Sequence, residues 1–172
     1  PIERELAIIV ARRPSGESVV YPLVETIQID GICREILFPA PVPAALSMQA
    51  EAIARAIAEE SRVVGILAVE LFVANGKVVV NEIATRPHNS GHYSIEGCVT
   101  SQFEQHLRAI LDWPLGATTP TAPAVAITDA PRDLVGLDRL EERAEIALAE
   151  ALVALPLDDL EEDRPDHGLG ED

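Results

Sequence analysis

The chain has 172 residues, enough for one domain with a sizeable core, and 48% hydrophobic against 24% charged residues is a globular balance. A net charge of −16 with Lys77 as the single lysine argues against nucleic acid or an anionic membrane as partner. No apolar run approaches the roughly 18 residues that span a bilayer. The acidity is uneven: residues 1–128 hold 14 acids and 9 bases, whereas residues 129–172 hold 15 acids and 4 bases. Most of the negative charge therefore lies away from the segments that carry the chemistry below. The chain opens Pro1-Ile2-Glu3-Arg4-Glu5 without a secretory leader, and the missing initiator Met is what a cut or partial chain would show. Cys33 and Cys98 lack CxxC spacing, so neither a zinc site nor a disulfide framework is expected. A reducing, cytoplasmic setting is the default.

Leu6 to Arg12 and Ser18 to Val24 are β-branched-rich runs around the turn-like Arg13-Pro14-Ser15-Gly16-Glu17, which predicts a hairpin. Glu25 to Asp30 and Ile32 to Phe38 extend the sheet, broken at Gly31, and Pro39, Pro41 and Pro43 then forbid regular structure. Ala44 to Arg62 is helical, with Leu46, Ala50, Ile53, Ala54 and Ile57 on one face. Val63 to Val73 and Lys77 to Ala84 are strands around Ala74-Asn75-Gly76. Thr100 to Leu111 is an amphipathic helix expected to bury Phe103, Leu107, Ile110 and Leu111, with a capping-box spacing between Ser101 and Glu104. A Pro/Thr linker, a short strand at Ala124 to Thr128, a helix from Leu137 to Leu155 and an acidic tail expected to stay disordered complete the chain. The elements predict an α+β architecture, a mostly antiparallel sheet with packed helices.

Two carboxylates interrupt these apolar strands. Glu70 lies between Ala68 and Phe72, and Glu82 follows Val78, Val80 and Asn81. A buried carboxylate costs several kcal/mol unless a cation or donor meets it, so two on neighbouring strands point to a bound metal. Magnesium takes such oxygens and keeps positions open for phosphate. Directly after Glu82 comes Arg86-Pro87-His88-Asn89-Ser90-Gly91-His92, the composition of an anion-binding loop; Arg86 offers a planar fork for phosphate or bicarbonate and Gly91 a close backbone approach. A plain polar surface loop is the bland alternative. His88 and His92 at i,i+4 are poor metal-ligand candidates, because Pro87, Ser90 and Gly91 would not hold a helix between them.

These residues carry a resemblance. Glu3-Arg4-Glu5-Leu6, Tyr21-Pro22 with Asp30-Gly31-Ile32, Ala68-Val69-Glu70-Leu71-Phe72-Val73, Asn81-Glu82 with Arg86 to His92, and Val99 to His106 make residues 3 to about 126 resemble the back half of the ATP-grasp domain of 5-(carboxyamino)imidazole ribonucleotide synthetases. The resemblance implies that ATP, magnesium, bicarbonate and aminoimidazole ribonucleotide react to carboxyaminoimidazole ribonucleotide, ADP and phosphate through carboxyphosphate. It implies that Glu70 and Glu82 bind magnesium, that Glu5, Gln28, Asn81 and Glu82 face ATP, and that Arg86, His88, Asn89 and Ser90 hold bicarbonate or carboxyphosphate. Gln28 stands where the family commonly has a histidine. A homodimer is implied for the full-length enzyme, and the isolated chain is expected to be inactive. The division expected is a partial ATP-grasp domain over 1–113, a linker and short strand over 114–128, and a helix with an acidic tail over 129–172. Rival readings are a formate-using glycinamide ribonucleotide transformylase, whose loop usually continues Asp-Thr-Gly, and a non-catalytic remnant.

A shared metal site sets a geometric condition. A two-residue Asn75-Gly76 turn would put Glu70 opposite Asn81 and Glu82 on the other face. A three-residue connection with a left-handed Gly76 would pair Glu70 with Val80 and leave Glu82 its diagonal neighbour on one face with Ala68 and Val80. The second arrangement is the one expected.

Overall fold

The computed structural model describes residues 1–30 and 32–128. The helix and tail expected beyond residue 128 lie outside the described residues. Strands β1 (Arg4–Arg12), β2 (Ser18–Val20), β3 (Val24–Ile29), β4 (Ile32–Phe38), β5 (Gly65–Ala74), β6 (Lys77–Ala84) and β7 (Val125–Thr128) form one sheet, joined by helices α1 (Ala44–Ser61), α2 (Ser94–Gly97) and α3 (Gln102–Ile110). The strand order is β6-β5-β1-β3-β4-β7, with β2 also paired to β1, and every pairing is antiparallel. The α+β expectation holds.

The first hairpin forms with Arg12 opposite Ser18, but the run Ser18 to Val24 is not one strand. It stops at Val20 and resumes at Val24, both pieces pairing with β1, because Pro22 has no N–H for the ladder. Central strands β1 and β5 run side by side over nine residue pairs, from Arg4 opposite Val73 to Arg12 opposite Gly65. Their side chains alternate between two cores. Leu6, Ile8, Val10, Leu67, Val69, Leu71 and Val73 face α1, whose buried residues are Ala50, Ala54 and Ala58. Ala7, Ile9, Ala11, Ile66 and Ala68 face the other way, under Tyr21, Tyr93 and Cys98. No helix among the described residues is long and apolar enough to cross a membrane.

Helix α3 reverses the expected orientation. Its N-cap is Ser101, whose hydroxyl accepts the Glu104 N–H at 3.2 Å as the spacing predicts, while the Glu104 carboxylate pairs with Arg108 at 2.7 Å instead of closing the box. The face turned inward is Gln102, Gln105 and Ala109, all fully buried, and Phe103, Leu107, Ile110 and Leu111 are exposed. The cause is backbone satisfaction. Gln105 accepts the Gly116 N–H at 2.8 Å and donates to the Gly116 carbonyl at 2.7 Å, and Gln102 does the same for His88. Loops packed against the sheet need partners for their amides, and a leucine supplies none.

Candidate functional site

Alternation along β1 and β5 places Glu5 opposite Phe72 and Ala7 opposite Glu70, so Glu5, Glu70 and Phe72 share the second face beyond the end of its aromatic cover. An open cleft of about 520 Å³ forms there, lined by Glu5, Gln28, Cys33, Glu70, Phe72, Asn81, His88 and Asn89. Gln28 and Cys33 reach it from β3 and β4, where they stand opposite each other beside a register shift that leaves Arg34 as the extra residue.

The β5–β6 connection departs from the expected design. Ala74 pairs with Lys77, so the turn has two residues, and Asn75 (φ 50°) and Gly76 (φ 67°) are both left-handed, as a type I′ hairpin requires. The left-handed Gly76 was expected; the three-residue connection and the Glu70–Val80 pair are not found. Leu71 pairs with Val80, which places Val80 on the face away from the carboxylates. A register shift then makes Asn81 the extra residue of a bulge, and Glu82 falls directly opposite Glu70. The two carboxylates therefore share a face despite the tight turn.

Burial pushes the Glu70 carboxyl above its ordinary range; His88 opposes that shift, and the negative charges of Glu82 and Glu5 add to it. His88 Nδ1 lies 3.7 Å from Glu70 Oε1 and 3.0 Å from the Ser90 hydroxyl. Ser90 is itself buried and shapes the loop from beneath, while Asn89 is exposed at the cleft. Arg86 is exposed, does not line the cleft, and donates to the Pro87 carbonyl at 3.1 Å. His92 turns outward against the Phe103 ring, at 5.9 Å between centroids, and takes no part. Cys98 is a core residue whose thiol burial pushes up to about 11.

Sequence reasoning missed Phe72, Cys33 and Gln102. Phe72 was legible, being two residues from Glu70 on the same strand face. Cys33 reaches the cleft only through the bulge at Arg34, and Gln102 carried no signal beyond an apolar pattern that pointed the wrong way. Among the described residues no three His, Cys, Asp or Glu side chains gather as a complete metal site. Two opposed carboxylates, one of them desolvated, do suit a hard divalent cation whose remaining positions are filled by water and phosphate oxygens.

Residues 1–103 match the model of the ATP-grasp domain. The chain is 50% identical over 132 residues to the N5-carboxyaminoimidazole ribonucleotide synthase of Corynebacterium ammoniagenes, covering 73% of this chain and 32% of that protein. The crystal structure of N5-carboxyaminoimidazole ribonucleotide synthetase from Thermus thermophilus is similar with a TM-score of 0.71 and 46% identity, over 74% of this chain and 36% of that one. The Aspergillus clavatus N5-carboxyaminoimidazole synthase in complex with ADP and 5-aminoimidazole ribonucleotide is similar with a TM-score of 0.61 and 43% identity, over 68% of this chain and 32% of that one. The chain spans about a third of the length of the relatives it matches. With the domain match covering more than half its length, and its sheet carrying the carboxylate pair beside the His88 loop, the chain belongs to the ATP-grasp family.

Proposed function

We propose that the cleft is the phosphate end of a magnesium–ATP site and that the protein takes part in ATP-dependent carboxylation of aminoimidazole ribonucleotide by bicarbonate, giving carboxyaminoimidazole ribonucleotide, ADP and phosphate. The observation that carries this reading is the direct opposition of Glu70, which lines the cleft with His88 and Asn89, and the exposed Glu82 on the neighbouring strand. Phosphoryl transfer needs charge neutralisation and positioning more than covalent chemistry from the protein. Glu70 and Glu82 would hold magnesium, which when bound neutralises phosphate charge. Asn81, pushed into the cleft by the bulge, supplies an amide to the nucleotide, and Glu5 and Gln28 reach it from the neighbouring strands. His88 and Asn89, braced by Ser90, present donors to bicarbonate or the carboxyphosphate made from it. Arg86 joins them only by swinging its guanidinium off the Pro87 carbonyl.

Homodimerisation and a cytoplasmic location are part of the same proposal and rest on the resemblance to the carboxylating synthetases. Since the matching stretch covers only about a third of the relatives of this activity, the chain alone is expected to release no ADP dependent on both bicarbonate and aminoimidazole ribonucleotide, because catalysis by positioning fails with an incomplete constellation. Calorimetric titration with magnesium and ADP tests the site directly. Binding that requires magnesium and disappears in Glu70→Gln supports the reading; metal-independent binding, or binding untouched by that change, refutes it.

A further inference from the structure

We infer that Gln102 is a positioning residue that holds His88 at the mouth of the cleft, and that Gly91 is glycine because that amide lies against it. The inference rests on the nucleotide reading of the cleft for its purpose, and on geometry alone for the clamp. Gln102 is fully buried at the first turn of α3, 14 residues after His88 in the chain. Its Oε1 accepts the His88 N–H at 3.0 Å and its Nε2 donates to the His88 carbonyl at 2.7 Å, so one side chain grips both sides of one residue's backbone. The same carbonyl accepts the Gly91 N–H at 2.9 Å, which curls the loop back over the amide. A Cβ added to Gly91 would come within 2.6 Å of Gln102 Cδ and closer still to its Oε1. A second tie runs from the Gln102 N–H to the Ser94 hydroxyl at 2.8 Å, which donates to the Gly91 carbonyl at 2.6 Å.

The consequence reaches the imidazole. His88 Nδ1 is held by the Ser90 hydroxyl at 3.0 Å, and Ser90 is inside the turn that Gln102 ties down, so the ring's approach to Glu70 is inherited from the amide. A carboxamide, or a protonated carboxyl, carries the acceptor and the donor on one planar group and so both accepts from the N–H and donates to the carbonyl. A carboxylate would set its charge against a carbonyl oxygen in a buried site, and a thioether would do neither.

The test compares Gln102→Met and Gln102→Glu by amide hydrogen exchange in the 172-residue chain. In Gln102→Met the His88 amide should lose at least about tenfold in protection at every pH while the Ile8 and Leu67 amides keep theirs. In Gln102→Glu, protection should be close to wild type at low pH, where the buried carboxyl is protonated, and fall as pH rises through its elevated pKa, a dependence that wild type lacks. The titratable groups facing this position are His88, with Glu70 behind it, while Glu104 and Arg108 pair on the outer side of α3, so the Met variant controls for all of them. Unchanged His88 protection in Gln102→Met, or equal loss across Ile8, Leu67 and His88 in both variants, would overturn the inference. Failure of the wild-type chain to bind magnesium–ADP would remove the nucleotide reading and leave the clamp, read from exchange, standing.

Discussion

Replacing Glu82 by Gln should make the fold more stable at neutral pH while removing the site's affinity for magnesium. Glu70 and Glu82 are directly opposed across β5 and β6, and like charges in that position are unfavourable by roughly 0.2–1 kcal/mol. Glu70 is mostly buried, so screening is weaker than at the surface and the upper half of that range, about 0.5–1 kcal/mol, is expected. The pH dependence follows from the direction of the Glu70 shift. Its pKa is raised in the folded state, so between the unfolded value of about 4.3 and the folded one the native protein holds more protons than the unfolded chain. Wild-type stability therefore falls as pH rises through that window, and the deficit is complete above the folded pKa. Relieving the Glu82 contribution should return the gain at pH 7 and little near pH 3.5, where the Glu70 carboxyl, held above its ordinary range, has taken up its proton.

Urea melts of both proteins at pH 3.5 and 7 in low salt measure this, and a gain of up to about 4 °C in Tm should accompany it. Magnesium with ADP should invert the ranking: ligand at a hundredfold excess over Kd stabilises a competent site by about 2.7 kcal/mol, and only wild type should respond. A variant that is less stable than wild type at pH 7, or equally improved at both pH values, would refute the charge-pair argument. A variant that keeps the magnesium response would remove Glu82 from the site.

Gly91→Ala forces its new methyl against the Gln102 amide, which is tied at both ends and cannot swing away, and should cost about 1–3 kcal/mol in urea unfolding. Leu107→Ala should cost less than about 0.5 kcal/mol, because Leu107 is 54% exposed; a loss of about 2–5 kcal/mol would mean that the leucine is a core residue after all. Ser101→Ala removes the cap on the Glu104 N–H and should lower stability by about 1 kcal/mol, seen as a Tm shift with no change in magnesium–ADP affinity.

Where the sequence was legible, apolar runs bounded by turn signals and one helical periodicity carried it. β-Branched-rich, continuous apolar runs located β1, β4, β5 and β6, and the helical stripe of α1 reappears as Ala50, Ala54 and Ala58 against the sheet, with Leu46, Ile53 and Ile57 beside them. The same logic fails on α3, where apolar spacing predicts an apolar inward face. That inference assumes the neighbours are side chains. The neighbours of α3 include the backbones of His88 and Gly116, whose hydrogen-bonding demand exceeds what the outward leucines would gain by burial, and no pattern along α3 records which loops will fold onto it.

The cleft illustrates the same limit from the sheet side. Glu5, Glu70 and Phe72 come together by alternation alone, so that part of the site could be written from the strands. Asn81 with Glu82, and Cys33 with Gln28, depend on two bulges, one in β6 and one in β4. A bulge inserts one residue and so reverses the face of everything beyond it; from the sequence, only the demand that Glu82 meet Glu70 exposes the need for one. The tight Asn75-Gly76 turn and the shared carboxylate face looked incompatible under strict alternation. Asn81 reconciles them, and in doing so projects its own amide into the cleft beside the two carboxylates, so the irregularity that corrects the register also adds a polar group to the site.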